Sequence, residues 1–474
     1  MLPKQNLEKK LNVRIATSSV MDDAITLWSQ MYKNAPMWLG GPEHVKSLNL
    51  PATIAEEMAR LVLTEFDFNL EGSARADFLL DQMDTILSNL SNIVEMWCAL
   101  GGVVFKPYAA GSNENGDPDH IEVDVVHADR FYPTAFNSNK EITGAVFVDT
   151  HRVGDYLYTR LEYHSLVGTH YTVVNKAYRS ERIYTTATDD AQIKVDHPFM
   201  EEISLEQVEE WKGIKPLVEL DGIEKPFFVY IKTPRTNTID PHSPLGASVY
   251  ARARDTIEEA DKQYSRILWE YEATEAAIDA DETLFTTDRK GNPILPKGKE
   301  RLFRTYDIGG NVNEKTAFIK NYSPEIRDDS LFNGLDKMYR IIEYQCGLAY
   351  GTLSESKGSA AAEQTAYEIR SSKQRSYTTV HAMQGAWETG LDELLYVMNG
   401  ICDLYELVPD GEVKKTVTWG DGVLEDTETE YQRRWAMVIS GKMKLEKFYA
   451  WYFGCTEEKA LEYIPNHSEF PPEE

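Results

Sequence analysis

The sequence predicts an α+β fold, and three observations carry that expectation. Apolar residues recur at three- and four-residue steps as far as Leu100, then alternate with a period of two from Gly102. From Ser243 to Tyr405 helical spacing returns over runs much longer than an ordinary globular helix. Within that stretch, Gly291, Pro293, Pro296, Gly298, Gly309 and Gly310 cut residues 285–326 into short apolar runs.

In chain order, residues 1–19 are polar and basic and are expected to form a poorly ordered arm. Helices are expected over 21–32, 51–64 and 76–100. The last is stopped by Gly101-Gly102. Strands follow at 103–108, 121–126, 144–150, 156–164 and 170–174, closely spaced and separated by turn residues, as in antiparallel hairpins. Residues 181–240 read as irregular, with a short helix near 205–211 and a strand at 227–232. Ser243-Pro244 is a helix-start signal, and no Gly or Pro interrupts residues 247–278, which predicts one helix of about 48 Å. The glycine-rich stretch 285–326 reads as a small α/β or mostly β insertion. A helix over 328–348 follows it, then a loop of small polar residues, then a very long helix from Ala360 to Tyr405. Gly385 and Gly390 predict a bend in that helix, or a place where another element packs closely. A strand at 415–419 and helices at 428–440, 444–453 and 456–464 close the reading.

The chain of 474 residues carries 49 Lys and Arg against 77 Asp and Glu, a formal net charge of −28. Such a surface repels nucleic acid unless its cations are grouped. Grouping does occur. Residues 280–327 hold nine basic residues against seven acids, including Arg289, Lys290, Lys297, Lys299, Arg301 and Arg304. Residues 357–375 hold Lys357, Arg370, Lys373 and Arg375 against two acids. Cys98, Cys346, Cys402 and Cys455 lie far apart in helical or apolar contexts, as buried thiols of a reducing compartment would. No run of 18 apolar residues predicts a membrane span, and the basic N-terminus lacks the apolar core of a signal peptide.

Catalytic constellations do not emerge. Gly298-Lys299-Glu300 and Gly441-Lys442-Met443 lack the hydroxyl that a phosphate-binding loop places on magnesium. His120, Asp124, His127 and Asp129 are the best metal candidates, but His120 and His127 are an odd number apart and face opposite sides of a strand. Asp255, Glu258, Glu259 and Asp261 fan around more than half of a helix, as a solvated face does. No enzyme activity, cofactor or metal is therefore expected. The rival readings are a metal-dependent hydrolase using these acids and a generic helical adaptor without a DNA role.

The order of elements resembles the portal proteins of long-tailed bacteriophages. The stretch from Ile54 through Met58 to Val62 is similar to that family's early wing helix, and Glu95–Tyr108 to its helix-to-strand passage. Asp129-Arg130-Phe131-Tyr132-Pro133, Leu161-Glu162-Tyr163-His164, Gln364–Ile369, and Gly441–Tyr452 with Cys455–Ala460 fit the same order. The resemblance implies a homo-oligomeric ring, typically of twelve subunits, at the portal vertex of the virion, assembled in the host bacterial cytoplasm. Double-stranded DNA would be packaged and ejected through it without sequence preference. The terminase large subunit, a head-tail connector, and the major capsid and scaffolding proteins would be its partners; a membrane would not. It also implies a division into an N-terminal arm (1–19), a wing (20–240 and 406–464), a first stem segment (241–278, its helix from about 244), a clip (279–327), a second stem helix (328–348), a tunnel loop (349–360), a spoke helix (361–405) and a tail (465–474). With ten residues after Ile464, the family's crown is expected to be short or absent. Ser354, Ser356, Lys357, Ser359, Arg370 and Lys373 would then meet DNA in the channel, and the six named clip cations would meet connector or motor.

Overall fold

Lys4 begins a short amphipathic helix, α1 (Lys4–Leu11), whose Leu7 is fully buried. The computed structural model describes residues 4–41, 44–112, 117–154, 156–181, 201–290, 292–295, 302–306, 319–354, 366–419, 427–453 and 457–463. The expected loose arm is thus a correction from residue 4 onward. Leu7 and Ile15 supply apolar surface, and Lys4 pairs with Asp22 at 2.8 Å.

Helix α2 (Ser19–Tyr32) starts where the Ser18 hydroxyl accepts from the Met21 N–H, and it buries Met21, Ile25, Trp28 and Met31. Helix α3 (Leu50–Val62) and strand β1 (Asp67–Glu71) follow. The helix expected over 76–100 is two, α4 (Ala74–Ser88) and α5 (Leu90–Leu100). Asn89 divides them: its N–H turns back to Ile86 O (3.2 Å) and its side chain accepts from Asn92 (2.6 Å). Gly101 then takes a left-handed conformation (φ 82°), with Ala247 backbone atoms 2.6–2.9 Å from where a Cβ would be.

Nine strands follow: β2 (Gly102–Ala110), β3 (His120–His127), β4 (Phe131–Phe136), β5 (Ile142–Val153), β6 (Tyr156–Val167), β7 (His170–Glu181), β8 (Glu201–Ile203), β9 (Leu217–Leu220) and β10 (Val229–Lys232). They form a three-stranded sheet, β10-β2-β3, and a six-stranded sheet in which β4 to β8 are sequential neighbours and β9 also pairs with β7. All these pairings are antiparallel, and turns of two to five residues join β4 to β5, β5 to β6 and β6 to β7. Phe131, Phe147, Phe228 and Tyr230 join the sheets through ring contacts of 5.3–6.0 Å.

A charged cluster is enclosed beside these rings. Lys106 reaches Glu162 (2.6 Å) and Asp124 (3.2 Å), and Arg160 reaches Glu162 (3.2 Å). His164 Nε2 lies 2.8 Å from Glu162, and its Nδ1 meets the Tyr171 hydroxyl, which itself accepts from the Phe227 N–H. With Tyr171 donating to Nδ1, the imidazole is neutral and its Nε2–H donates to the carboxylate.

Helix α6 (Arg254–Ala273) is shorter than the helix expected over 244–278, and only a 3-10 turn at Ala251–Ala253 precedes it. Residues 243–250 are held by tertiary bonds instead. The Thr233 hydroxyl donates to Ala247 O (2.6 Å), the Val249 N–H donates to Cys98 O (2.9 Å), and Gly246 lies directly on Gly101 O. At the other end Thr274 returns its hydroxyl to Glu270 O (2.6 Å), and the chain enters β11 (Ala277–Asp281). Strand β11 pairs parallel with β12 (Phe303–Tyr306) and antiparallel with β13 (Ile319–Tyr322). Helix α7 (Asp328–Cys346) runs back along α6. Arg327 grips Glu270 at one end of the pair (2.8 and 2.9 Å), and Thr256 bonds Gln345 at the other (3.1 Å), so the helices are antiparallel.

Helix α8 (Ala366–Tyr405) spans 40 residues and lies against α3, β2 and β10. Trp387 meets Trp97 edge-on at 5.4 Å in the main core, and Trp97 Nε1 donates to Ile231 O. The helix passes without interruption through Gly385 and Gly390. Close packing is found at Gly390, where a Cβ would fall 2.2 Å from Ile231 Cδ1, whereas Gly385 faces open space. Gly390→Ala is expected to cost about 1–3 kcal/mol by overpacking. Gly385→Ala should stabilise by up to about 1 kcal/mol through helix propensity. Urea unfolding of both variants checks the contrast; equal midpoints would refute it.

Strand β14 (Lys414–Thr418) pairs antiparallel with β1, and helices α9 (Thr427–Ile439), α10 (Leu445–Phe453) and α11 (Glu457–Ala460) follow. Helix covers 46% and strand 24%, largely in separate stretches of the chain, which makes the class α+β.

Candidate nucleic-acid interface

The C-terminus of α7 is where the helix pair turns into the approach to α8. Gly347 is left-handed (φ 78°), and its N–H bonds Glu343 O. Arg235 Nη2 and Thr379 Oγ1 lie 2.6 Å from where a Cβ would be. Arg235, largely buried, donates to Val249 O and Gln345 O (both 3.0 Å) and to Cys346 O, so a cation closes the negative end of α7. Burial pulls the Arg235 pKa down from its ordinary value.

Glu343 is completely buried on the apolar face of α7. Its Oε1 accepts from the N–H groups of Leu353 (2.6 Å), Ser354 (2.8 Å) and Gly351 (3.1 Å), and its Oε2 from the Ser354 hydroxyl (2.9 Å). Successive N–H donors converging on one carboxylate form an anion nest, here filled by the chain's own side chain. The Ala349 N–H is fixed separately by Ser376 Oγ of α8 (3.1 Å). The first half of the loop is therefore rigidly seated.

The residues expected at a channel divide accordingly. Ser354 is buried with its hydroxyl on Glu343, a correction to its expected exposure to DNA. Ser356, Lys357 and Ser359 lie outside the described residues. Arg370 and Lys373 stand on the first turns of α8, with their side chains outside the described set. Of the cations expected to meet a partner, Arg289 and Lys290 are exposed on a turn fixed by Asp288. Arg304 is engaged within its own sheet, bonded to Asp279 (2.9 Å) and stacked over Tyr322 (4.3 Å). Lys297, Lys299 and Arg301 lie outside the described residues.

The alternative chemistries are dispersed. Among the described residues no group of three or more His, Cys, Asp or Glu has an arrangement that could hold a metal ion. His120 bonds Asp119 and Glu122, and Lys106 takes Asp124. Asp261 is buried, accepting from Trp38 Nε1 and the Leu48 N–H, whereas Glu258 and Glu259 pair with Lys262. Cys98, Cys346 and Cys402 are free and buried, and burial pushes the Cys346 thiol up to about 12. Among the described residues no helix is long and apolar enough to cross a membrane.

Glu343 and Arg235 went unnoticed in the sequence reading. The legible signal for Glu343 is an acid set among Leu335, Ile342 and Cys346 on a helix's apolar face, where a carboxylate requires donors. In comparisons with protein-family models and with curated proteins, no match to this chain is found.

Proposed function

We propose that the protein is a bacteriophage portal subunit: a structural ring component through which genomic DNA passes in packaging and ejection. One observation carries this reading. An antiparallel helix pair, α6 and α7, bears a small sheet at one end and leads from the other, through the loop seated on Glu343, into the 40-residue α8. In this reading the pair is the stem, the sheet β11-β12-β13 the clip, α8 the spoke, and the layers on either side of it in sequence the wing. Large apolar side chains exposed on the pair support ring assembly: Trp269 is 64% exposed, and Ile341 and Phe332 are nearly half exposed. The net charge of −28, repeated around a ring, would keep DNA sliding rather than bound. Terminase and connector proteins would engage the sheet end.

The test is the mass of the purified full chain by light scattering, with negative-stain images of the same sample. A ring near twelve times the 54.0 kDa subunit mass is expected. A monomer at every concentration and salt tested would overturn the reading.

A further inference from the structure

We propose that Arg375, stacked on Tyr344 and in line with Lys337 and Arg340, forms a contact strip for the phosphate backbone of double-stranded DNA. The inference deepens the portal reading and rests on it for the source of the DNA. Arg375 is exposed on α8, its guanidinium carbon 4.0 Å over the Tyr344 ring and 5.8 Å from that of Tyr350. Both tyrosines are more than half exposed. Among the described residues Arg375 forms no ion pair with a carboxylate, in a chain where acids outnumber bases by a wide margin. A guanidinium whose central carbon sits over an aromatic face has its N–H donors left to meet other groups, in the fork that matches a phosphate.

The neighbours on α7 extend the feature. Lys337, Arg340 and Tyr344 stand at i, i+3 and i+7 and share one exposed face. Arg340 is steadied by Asp336 at 3.0 Å. Seven helical residues rise about 10 Å, close to three base-pair steps along one strand. The row ends at the seated loop, where Arg375 joins it across the Tyr344 ring. An acidic protein partner is favoured less: protein interfaces anchor large side chains in desolvated pockets, whereas this row is an exposed line of cations and phenol hydroxyls. Those groups hold phosphate without reading sequence.

The experiment is fluorescence anisotropy of the full chain with two labelled 30-base-pair duplexes of unrelated sequence, titrated between about 50 and 200 mM salt. For Arg375→Ala, binding of both duplexes should weaken equally, and the slope of log K against log salt should fall by about one. Arg375→Lys should keep the slope but bind more weakly, because the stacked fork is lost; Tyr344→Leu should act in the same direction. Lys337→Ala with Arg340→Ala should reduce the slope further. Wild-type affinity and slope in all these variants would overturn the proposal. So would loss of polyglutamate binding with unchanged duplex binding, which would assign the strip to an acidic protein. Mass measured on the same samples separates the two readings. Rings with unaltered DNA binding refute only the strip. Monomers whose DNA binding depends on Arg375 refute the portal assignment and leave the strip standing.

Discussion

Replacing Glu343 with alanine is expected to destabilise the protein by about 3–5 kcal/mol and to release the segment from Gly351 to Ser354. The Leu353 and Ser354 N–H groups and the Ser354 hydroxyl lose their acceptor, a fully buried carboxylate, whereas the exposed Gly351 N–H keeps its 3.2 Å bond to the Ser354 hydroxyl. Each unsatisfied buried donor costs about 1–3 kcal/mol, and water entering the gap recovers part of the total. Glu343→Gln is the informative control. Its amide oxygen can take the place of Oε1 under the three N–H groups, and its NH2 can donate to the Ser354 hydroxyl, so a loss of about 1–2 kcal/mol is expected. Urea unfolding gives the stabilities, and hydrogen exchange at residues 351–354 reads the loop directly. Unchanged protection of those amides in the alanine variant would show that the loop is held by something other than the carboxylate.

The second large effect lies in the enclosed charge cluster. Lys106→Met is expected to cost about 3–5 kcal/mol, because it leaves Glu162 buried without its closest cation. The same cluster sets a pH dependence. Burial alone would raise Glu162, but Lys106, His164 and Arg160 hold it well below the usual carboxylate range. Its contribution is therefore complete above the unfolded pKa near 4.5 and is lost as pH falls through the depressed folded value. Burial lowers His164 from 6.5 and outweighs the pull of Glu162. The unfolded chain then takes up a proton that the folded chain refuses, so stability declines as pH falls below about 6.5. Half-buried His127 is lowered by desolvation and acts in the same direction. His120 and His170 are raised by neighbouring carboxylates and oppose it, but both stand in solvent, where screening weakens them. The urea midpoint should be lower at pH 5.5 than at 7.5, and His164→Gln should flatten the change. A midpoint that rises on acidification would contradict the neutral assignment of His164.

Much of the fold could be read from periodicity. The switch at Gly101-Gly102 marks the passage from α5 to β2, and β5, β6 and β7 fall where alternation places them. The misreadings share a cause. Residues 243–250 have helical spacing, but their carbonyls and N–H groups answer to Thr233 and Cys98, partners that local pattern does not contain. Helix α1 is too short and polar to be secure alone and depends on the sheet beneath Leu7. Of the candidate site, the loop and its neighbouring helices were legible, but not the seat. Ser354 reads as an exposed donor until the acid eleven residues earlier is brought beneath it.

The pairing of β1 with β14 has a consequence for synthesis. Ser73 donates to Glu412 O across 339 residues of sequence, and Arg75 closes on Asp403, Val408 O and Pro409 O beside it. A nascent chain carrying β1 must wait roughly 17–70 s for its partner strand at ordinary elongation rates. During that time the edge of β1 is open on the ribosome. A product stopped before residue 414 lacks β14 and never closes this sheet, so truncation leaves a lasting open edge at β1 where another chain can pair.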